Sequence, residues 1–566
     1  MSFVAAALER LEDRPERVAL AQGEGRTRRE LTARALAGAI ARARRALRAA
    51  GIGPGDRLAL VAGNSPEWLA LDLAVLAEGA ALVPLDPRAG EGGTAGLSAL
   101  VEDADPRLLV VDQGAAALQV PGVPRRRLED LFAGTTPPGS DPLDIPGDAL
   151  ASLIYTSGSS GRPKGAMLTR SNLGFMLART EARLAELTGL GFGAERALHY
   201  LPLCYAGSHV LALSCLLRGA RLELVADPRR LGEALAVARP DYFLNVPLVL
   251  ERFERAAVSA IEARGPALAR LLREARAAGA RRAAGQAGLR DRALLAAAEA
   301  LLFKRVRARF GPRLRGLICG SAPLSPATQG FFELVGVPVY QGYGLTETTA
   351  LCTLDLEGKV LAGRVGPALP GVALRRSPEG EVETRGPHVF AGYWGRPDAT
   401  LAAFTRDGWL RTGDLGDVDA EGRWRIVGRK SAMLVLASGH NLAPEPLEEE
   451  LRAALVSTLG PAWADLGVVV VGHGRPHAAA LIAPPPDSPS LDPARLDAAL
   501  AAFNQGVEPK RRVFRCAVLP EPLSAEGGLL TANLKPRRAE IAARYAELIE
   551  GLYARGGAAP MAAVEG

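Results

Sequence analysis

The chain has 566 residues, a length beyond which one hydrophobic core stops growing, so we expect at least two domains. Its 68 basic and 62 acidic residues leave a formal charge of only +6, without a lysine-rich tail, which argues against a nucleic-acid partner. The five cysteines form no CxxC pair and show no regular spacing, so neither a disulfide framework nor a zinc site is predicted. Since no run of about 18 apolar residues occurs, we expect a cytoplasmic protein and leave peripheral membrane association open.

Taken in chain order, the sequence first alternates short apolar runs with helical patterns. Residues 58–83 give a strand, a turn at Gly63 to Pro66, an amphipathic helix and a second strand, which is a βαβ rhythm. Further apolar runs of strand length occur at 107–112, 197–203, 220–225, 314–319 and 337–340. The alternation predicts a large α/β domain over residues 1–428.

Residues 251–310 interrupt this alternation. They are rich in Ala, Leu and Arg, with arginine in excess, and their periodicity is helical, so we predict a helical insertion. The simpler interpretation of its charged side is a solvated helix face. A basic amphipathic surface that touches anionic lipid is the alternative.

After Asp407 the pattern changes again. Short β patterns (RWRIVG, MLVLA) are followed by a helix around EPLEEELRAAL, two apolar strands and terminal helices. These segments predict a smaller α+β domain over residues 429–566. Its last residues, 556–566, are expected to be a disordered tail.

The first segment that indicates chemistry is YTSGSSGRPKG, residues 155–165. Its glycines allow close backbone approach, its hydroxyls offer hydrogen-bond donors and its lysine adds a positive charge, which together suit a phosphate-binding loop. The residues concerned are Thr156, Ser157, Gly158, Ser159, Ser160, Gly161 and Lys164. The segment is not a Walker A motif, because Pro163 precedes the lysine and a glycine follows it. Taken alone, such a loop would more often be a flexible surface turn.

The second segment is QGYGLTETTA, residues 341–350. An apolar strand leads into it, and Tyr343, Thr346 and Glu347 offer a stacking ring, a hydroxyl and a carboxylate within five residues. A nucleotide bound with Mg²⁺ needs such a stacking surface, a phosphate donor and a ligand for a hard cation. A turn followed by an N-capped helix explains this segment equally well on its own.

Together these two motifs resemble those of the acyl-adenylate-forming enzymes, and four further segments occur in the order in which that family carries them. They read GPHVFAGYWGRPDAT, DGWLRTGDLG, RIVGRKSAMLVLASGHNLAPEPLEEEL and LLTANLKPRRAEI. The chain is most similar to bacterial long-chain acyl-CoA synthetases, because its helical stretch leads into FKRVRARFGPRLRGLICGSAPLSP as theirs does. The resemblance implies a large N-terminal α/β domain of several subdomains and a smaller, mobile C-terminal α+β domain.

The resemblance also implies roles for the matched positions. Thr156 to Lys164 would wrap the β- and γ-phosphates of ATP, Thr346 would contact the α-phosphate and Glu347 would hold Mg²⁺. The adenine site would be lined by Gly320, Ser321, Ala322, Gln341, Gly342 and Tyr343. The ribose would be bound by Asp414 and Arg429, and the mobile catalytic lysine would be Lys535.

Three positions depart from the family's pattern. Tyr205 in LPLCY stands where a histidine is usual, with His209 four residues on, and Leu248 stands in a segment where VPR is usual. These two changes concern the acyl gate and the choice of substrate more than the nucleotide chemistry. TAN replaces the usual TPT before Lys535, which could alter how the catalytic loop is held.

The implied activity is the ATP-dependent activation of a medium- or long-chain fatty acid. The acid becomes acyl-AMP with release of pyrophosphate, and coenzyme A then takes the acyl group with release of AMP. One alternative is a fatty acyl-AMP ligase that loads the phosphopantetheine of an acyl carrier protein, since both acceptors offer the same thiol. Another is a non-catalytic homologue that binds a nucleotide or an acyl chain. The sequence indicates neither the natural chain length nor the oligomeric state.

Overall fold

The computed structural model describes residues 2–23, 28–87, 94–136, 141–156, 163–438, 440–486, 488, 490–524, 527–530 and 536–554. The chain divides into two compact units, which we call the large and the small unit. The large unit comprises Met1–Arg375, Glu383–Thr412 and Val418–Arg425, and the small unit comprises Arg376–Val382, Gly413–Asp417 and Ile426–Gly566. The main segment of the small unit begins at Ile426, whereas the sequence predicts a boundary at residue 429. The tail that is predicted to be disordered lies outside the described residues.

The described helices are distributed over both units. In chain order they are α1 (Phe3–Asp13), α2 (Ala33–Ala49), α3 (Pro66–Ala77), α4 (Thr94–Ala104), α5 (Arg170–Thr188), α6 (Ala206–Leu217), α7 (Leu231–Ala238), α8 (Pro247–Glu262), α9 (Pro266–Ala283), α10 (Leu289–Ala298), α11 (Lys304–Ala308), α12 (Pro326–Leu334), α13 (Pro397–Ala403), α14 (Pro444–Leu459), α15 (Pro493–Gly506), α16 (Arg538–Arg544) and α17 (Ala546–Tyr553). Within the described residues, none of the helices combines the length and the apolar character needed to cross a membrane.

The described strands are mostly short. In chain order they are β1 (Val18–Gln22), β2 (Arg29–Thr32), β3 (Arg57–Val61), β4 (Ala81–Leu85), β5 (Leu108–Val111), β6 (Arg125–Arg127), β7 (Leu150–Thr156), β8 (Lys164–Thr169), β9 (Arg196–His199), β10 (Arg221–Leu224), β11 (Tyr242–Asn245), β12 (Gly316–Cys319), β13 (Val339–Tyr343), β14 (Thr353–Leu354), β15 (Ala373–Arg376), β16 (Glu381–Arg385), β17 (Leu410–Val418), β18 (Trp424–Arg429), β19 (Leu434–Val435), β20 (Asn441–Leu442), β21 (Gly467–Val471), β22 (Ala478–Ala483) and β23 (Val513–Val518).

Two mostly parallel sheets organise the large unit. An eight-stranded sheet has the order β14-β13-β12-β11-β9-β10-β1-β2, and a six-stranded sheet has the order β6-β5-β3-β4-β7-β8. The edge strands β2, β14 and β8 are antiparallel to their neighbours, and the remaining strands pair in parallel. Parallel sheets need helices as crossover connections, so alternation of the two elements is their natural sequence pattern. The predicted α/β class is confirmed.

The βαβ unit formed by β3, α3 and β4 shows how local sequence signals build this layer. β3 and β4 are parallel, with Leu58 opposite Leu82. Ser65 caps α3, because its hydroxyl oxygen accepts a hydrogen bond from the Trp68 N–H at 3.1 Å. Every residue of α3 except Glu67 is buried, so this helix belongs to the core rather than to an amphipathic surface layer.

The segment 251–310 lies in α8, α9, α10 and α11 and the turns between them. A π-helical turn, Glu299–Phe303, joins α10 to α11, so that the chain is helical from the first residue of α10 to the last residue of α11. The buried apolar residues of α9, α10 and the π-turn belong to one hydrophobic cluster, which includes Leu272, Ala275, Leu295, Ala298 and Leu302.

A separate core holds the small unit together. Leu447, Leu451 and Leu455 recur every four residues along α14 and are completely buried. They belong to one cluster with apolar residues of β21, β22 and α15. The sheet there has the order β21-β22-β23, and β19 pairs with β20. Outside this core, strands β15, β16, β17 and β18 form a four-stranded sheet in that order. Helices packed on a short sheet agree with the predicted α+β character.

Candidate active site

The predicted phosphate loop connects two antiparallel strands. β7 ends at Thr156 and β8 begins at Lys164, and these two residues face each other in the hairpin register. The Thr156 hydroxyl donates to the backbone carbonyl of Lys164 at 3.5 Å. Residues 157–162, which include Ser157, Gly158, Ser159, Ser160 and Gly161, lie outside the described part of the chain. The structure therefore positions both ends of the loop at the edge of the six-stranded sheet.

The segment that contains Tyr393 lies along β8. The N–H of Met167 donates to the carbonyl of Gly392 at 2.9 Å, and the N–H of Ala391 donates to the carbonyl of Met167 at 3.0 Å. On the edge that does not face β7, β8 thus both donates and accepts backbone hydrogen bonds. This backbone pairing places Tyr393 beside the start of β8, where Lys164 lies.

Thr346 and Glu347 lie on a short 3₁₀ turn that follows β13. The turn is tightly folded, because a Cβ atom on Gly344 would lie only 2.1 Å from the carbonyl oxygen of Ala350. Thr349 and Ala350 have φ angles of 51° and 93°, which residues with a side chain rarely adopt. Strained backbone of this kind is concentrated at functional sites, where the surrounding structure holds it in place.

Tyr393 connects the two predicted phosphate-binding motifs. Its hydroxyl donates to Glu347 Oε1 at 2.7 Å, and the Lys164 ammonium nitrogen lies over its ring, 5.3 Å from the centroid. The backbone also contributes, since the Phe390 N–H donates to the Glu347 carbonyl at 2.9 Å. No role for Tyr393 is predicted from the sequence, although the residue lies in one of the segments that carry the family resemblance.

Glu347 fits the role of a magnesium ligand. Its side chain is half-buried, and the bond from Tyr393 fixes one carboxylate oxygen and orients the other. Mg²⁺ is usually held through one or two carboxylates together with substrate phosphates, so a single oriented carboxylate beside a phosphate loop is a suitable donor. In the ranges that the structure describes, no group of three or more His, Cys, Asp or Glu side chains could hold a metal ion by itself.

The two segments predicted to line the adenine site lie close together. Gly320 follows β12, and a Cβ atom there would come within 3.3 Å of the Gly342 carbonyl oxygen. Ser321 has a φ angle of 73°, so this turn too is strained. Ala322 and Tyr343 are half-buried. Neighbouring parallel strands β12 and β13 therefore deliver both segments from their carboxyl ends, the edge at which α/β sheets bind ligands.

Gln341 lies in the same region, but its side chain serves the framework. Its carboxamide nitrogen donates to Gln329 Oε1 at 2.8 Å and to the carbonyl of Arg364 at 3.0 Å. Its backbone N–H donates to Asp355 Oδ2 at 2.8 Å, and burial raises the pKa of the Asp355 carboxyl to about 7. The backbone carbonyl of Gln341 also accepts a hydrogen bond, from the Asp355 N–H at 2.9 Å. Main-chain and side-chain donors of Gln341 are thus engaged within the framework, and its predicted adenine contact stays a prediction.

The residues predicted to bind the ribose lie in the small unit. Arg429 Nε and Asp414 Oδ1 are 2.7 Å apart in a salt bridge, in which the Asp414 side chain is buried and that of Arg429 is largely exposed. An aspartate held in this way remains an acceptor for hydroxyl donors, so the pairing is compatible with the predicted role. Lys535 lies outside the described residues, and its catalytic role stays a prediction.

The positions that depart from the family pattern lie in different environments. Tyr205 is half-buried at the N-cap of α6, and Leu248 is half-buried near the start of α8. His209, one turn further along α6, is completely buried; its Nε2 lies 2.7 Å from Asp72 Oδ2, and its ring packs edge-on against Trp68. His209 is therefore part of the core and cannot replace the missing gate histidine.

We expect His209→Ala to destabilise the large unit by about 3 kcal/mol, since breaking a buried pair leaves an uncompensated carboxylate in the core. Asp72 Oδ1 already has no hydrogen-bond partner among the described residues. Loss of the imidazole would also remove the partner of Asp72 Oδ2. Denaturant unfolding followed by tryptophan fluorescence measures the effect. The double variant His209→Ala with Asp72→Asn should regain part of the loss, and a single-variant loss within error of zero would contradict this account.

Two family models match the chain. The model described as AMP-binding enzyme matches residues 8–394, and that described as AMP-binding enzyme C-terminal domain matches residues 431–557. Long-chain-fatty-acid–CoA ligase FadD15 of Mycobacterium bovis is 32% identical over 550 residues, which cover 89% of this chain and 89% of that protein. Long-chain-fatty-acid–CoA ligase 6 of Rattus norvegicus is 28% identical over 576 residues, which cover 89% of this chain and 79% of that protein.

Solved structures share the fold. ATP-bound MatB from Rhodopseudomonas palustris superposes with a TM-score of 0.72 at 24% identity, covering 97% of this chain and 100% of that chain. The adenylation domain of a carboxylate reductase from Mycobacterium chelonae gives a TM-score of 0.74 at 22% identity, covering 98% of this chain and 91% of that chain. At these identities the likeness establishes the fold alone.

The fold, with its large and small units, is that of the adenylate-forming enzymes. The chain belongs to the AMP-binding enzyme family, and its enzyme class is that of the AMP-forming acid–thiol ligases. The resemblance, the fold class and the enzyme class inferred from the sequence are thereby confirmed.

Proposed function

We propose that this enzyme activates a medium- or long-chain fatty acid as acyl-AMP and transfers the acyl group to coenzyme A. The observation that carries the proposal is the arrangement in which Tyr393 contacts both Lys164, at the end of the phosphate-loop hairpin, and Glu347. A fixed cation and an oriented carboxylate on one tyrosine support the binding of a magnesium nucleotide. The 32% identity to a long-chain-fatty-acid–CoA ligase supports the choice of acid.

In the first step, an oxygen of the fatty carboxylate attacks the α-phosphorus of ATP, the bond from that phosphorus to the bridging oxygen breaks, and pyrophosphate leaves. Two anions approach each other, so the transition state needs preorganised positive charge and hydrogen-bond donors. Lys164 and the loop before it would hold the β- and γ-phosphates, and the Thr346 hydroxyl would donate to the α-phosphate. Lys535 would neutralise the charge that develops during the attack.

Glu347, Asp414 and Arg429 would make the remaining contacts to the magnesium nucleotide. When bound, Mg²⁺ would neutralise phosphate charge and act as a Lewis acid. Glu347 would hold it, with its carboxylate oriented by Tyr393. Asp414 would accept hydrogen bonds from the ribose hydroxyls, because an ionised carboxylate is an acceptor only, and Arg429 would keep Asp414 in place.

In the second step, the thiol sulfur of coenzyme A attacks the acyl carbonyl carbon, the bond from that carbon to the phosphate oxygen breaks, and AMP leaves. We propose that the small unit moves between the two steps, so that Lys535 serves only the first step. The alternative acceptor is the phosphopantetheine of an acyl carrier protein, which ends in the same thiol. Acyl-AMP consumption with free coenzyme A and with a carrier protein separates them, and a preference for the carrier would overturn the proposed acceptor.

A panel of carboxylic acids of increasing chain length tests the proposal, with pyrophosphate and AMP release as readouts. We expect release that depends on both ATP and the acid, with the largest kcat/KM among medium- and long-chain fatty acids. A preference for short or aromatic acids would overturn the proposed substrate class. If no acid supports exchange of labelled pyrophosphate into ATP, the chain would be a nucleotide- or acyl-binding homologue instead.

The contact between Tyr393 and Glu347 leads to a prediction about metal affinity. Tyr393→Phe keeps the ring over Lys164 but removes the hydroxyl that orients the carboxylate, so the affinity of the enzyme–ATP complex for Mn²⁺ should fall roughly tenfold or more. Electron paramagnetic resonance of Mn²⁺ measures this affinity without turnover. Tyr545→Phe is a matched control, because the Tyr545 hydroxyl also donates to a glutamate, Glu521, at 3.0 Å. Equal Mn²⁺ affinity in wild type and Tyr393→Phe would contradict the orienting role.

A further inference from the structure

The segment 251–310 carries charge out of proportion to its length. It contains 14 Lys and Arg residues against 6 Asp and Glu residues, an excess of 8 positive charges, whereas the whole chain has a formal charge of +6. The rest of the chain therefore has a small negative excess. A general richness in arginine does not explain this concentration, because acidic residues balance the arginines elsewhere.

Most acidic side chains of this segment are paired with arginines within it. The pairs are Arg281 with Asp291 at 2.5 Å, Arg270 with Glu274 at 2.7 Å, Arg276 with Glu254 at 2.8 Å, Arg255 with Glu251 at 3.9 Å, and Arg307 with Glu299. Seven other basic side chains are exposed and form no ion pair with the part of the chain that the structure describes: Arg273, Arg282, Arg290, Arg292, Lys304, Arg305 and Arg309. The positive charge of the segment is thus left for an external anionic partner.

An apolar stripe accompanies this charge on α10. Asp291, Leu295 and Ala298 form the buried face of the helix, and the opposite face is exposed. That exposed face begins with Leu289, which is 83% exposed, and continues with Ala293, Ala296 and Ala297. Ala300, in the π-helical turn that follows α10, is exposed as well. At 100° per residue, Arg290 and Arg292 lie on the two sides of the stripe. An apolar stripe bordered by long basic side chains is typical of helices that lie in a membrane interface.

We propose that the exposed face of α10 and the basic residues around it dock on the headgroup region of an anionic lipid bilayer. We call this face the insertion surface, defined by Leu289, Arg290, Arg292, Ala293, Ala296, Ala297, Ala300 and Lys304. Leu289 and the alanines would enter the boundary between headgroups and acyl chains. The arginines would extend along it and bind lipid phosphates, each contributing electrostatic attraction that falls off within a Debye length.

The composition of the insertion surface favours a lipid over an acidic protein or a nucleic acid. Protein interfaces are anchored by Trp, Tyr and Arg side chains that fill pockets, and single-stranded nucleic acids are bound by stacking on aromatic rings. The insertion surface has arginines but no aromatic residue, and its apolar part consists of alanines and a projecting leucine, which suit a fluid partner without a fixed shape. Since fatty acids partition into bilayers, docking would also bring the enzyme to its proposed substrate. The docking itself does not depend on the proposed activity.

Vesicle co-sedimentation tests the proposal with the full-length enzyme and without ATP, acid or coenzyme A. Vesicles would contain phosphatidylcholine alone or with about one third phosphatidylglycerol. We expect wild type to bind only the anionic vesicles, and raising NaCl from about 0.1 M to about 0.5 M should weaken binding. The double variant Arg290→Glu, Arg292→Glu should bind at least about tenfold more weakly, because two attractive charges become repulsive.

Matched controls separate docking from non-specific adsorption. Arg126→Glu with Arg406→Glu makes the same change in net charge at two exposed arginines outside the insertion surface, and it should bind like wild type. Leu289→Ser should weaken binding several-fold, whereas Leu401→Ser, at a leucine that is 74% exposed, should not. Equal loss in both charge variants, no effect of Leu289→Ser, or no binding to anionic vesicles would each overturn the proposal. Because acid-dependent pyrophosphate release is measured separately, failure of docking is distinguishable from failure of the proposed function.

Discussion

Replacement of Glu347 by alanine should lower the rate of acyl-AMP formation by about 10²- to 10³-fold, because the proposed ligand of the cation that would offset the developing negative charge is lost. The effect should be accompanied by a higher requirement for Mg²⁺, since the half-buried carboxylate is the proposed ligand. Initial rates of pyrophosphate release, measured over a range of Mg²⁺ concentrations, test both expectations.

Two comparison variants define the result for Glu347. Glu347→Gln keeps the side-chain shape and can still accept a hydrogen bond from Tyr393, so it separates loss of charge from loss of structure. Glu357→Ala removes an exposed carboxylate shortly after the same turn and should behave like wild type. An unchanged Mg²⁺ dependence in Glu347→Ala would mean that the metal ligand lies elsewhere.

Lys535→Ala should separate the two half-reactions. Acyl-AMP formation should fall by at least about 10²-fold, because the cation proposed to stabilise the attack on the α-phosphorus is lost. Conversion of supplied acyl-AMP to the thioester should stay near the wild-type rate, since no attack on phosphorus occurs in that step. Single-turnover measurements with chemically prepared acyl-AMP report the second step directly.

The control for Lys535 is Lys510→Ala, which removes a lysine with 58% of its side chain exposed in the same unit. That variant should leave both half-reactions near the wild-type rate. If Lys535→Ala lowered both half-reactions equally, the lysine would not be specific for adenylation. That result would contradict the proposed movement of the small unit between the two steps.

Much of the fold could be predicted from the sequence because the signals are local. The unit formed by β3, α3 and β4 is marked by two apolar runs, by Ser65 at the helix N-cap and by Pro66 in the first helical turn, where no N–H is needed. Each of these signals involves residues that are neighbours in the chain. The parallel pairing of the strands then follows, because a helical crossover suits parallel strands.

The candidate site was only partly predictable, because its decisive contacts join residues far apart in the chain. Spacing alone does not show that Tyr393 meets both Lys164 and Glu347. Nor does it show that the Gln341 carboxamide is bonded to Gln329 rather than free to face a ligand. Motif matching identifies which segments form a site, whereas the direction of each side chain depends on tertiary packing.

His209 illustrates the same limit. In the sequence it lies four residues after Tyr205, the position where the family usually has a histidine, and it is an obvious candidate to compensate for the change. In the structure, however, His209 lies one turn further along α6, where it contacts Asp72 and Trp68 in the core. His209 therefore does not compensate for Tyr205. The effect of Tyr205 and Leu248, both of which are half-buried, on substrate choice stays a prediction.

The most direct test of the central claim is a crystal structure of the enzyme with a hydrolysis-resistant mimic of an acyl-adenylate. We predict that the phosphate-like group, which corresponds to the α-phosphate, lies within hydrogen-bond distance of the Thr346 hydroxyl. The hairpin from Thr156 to Lys164 should lie on the side of that group where the β- and γ-phosphates of ATP would be held. The adenine should lie against Tyr343 and the turn at Gly320. A mimic bound away from both the hairpin and the turn that carries Glu347 would contradict the proposed site and the mechanism built on it.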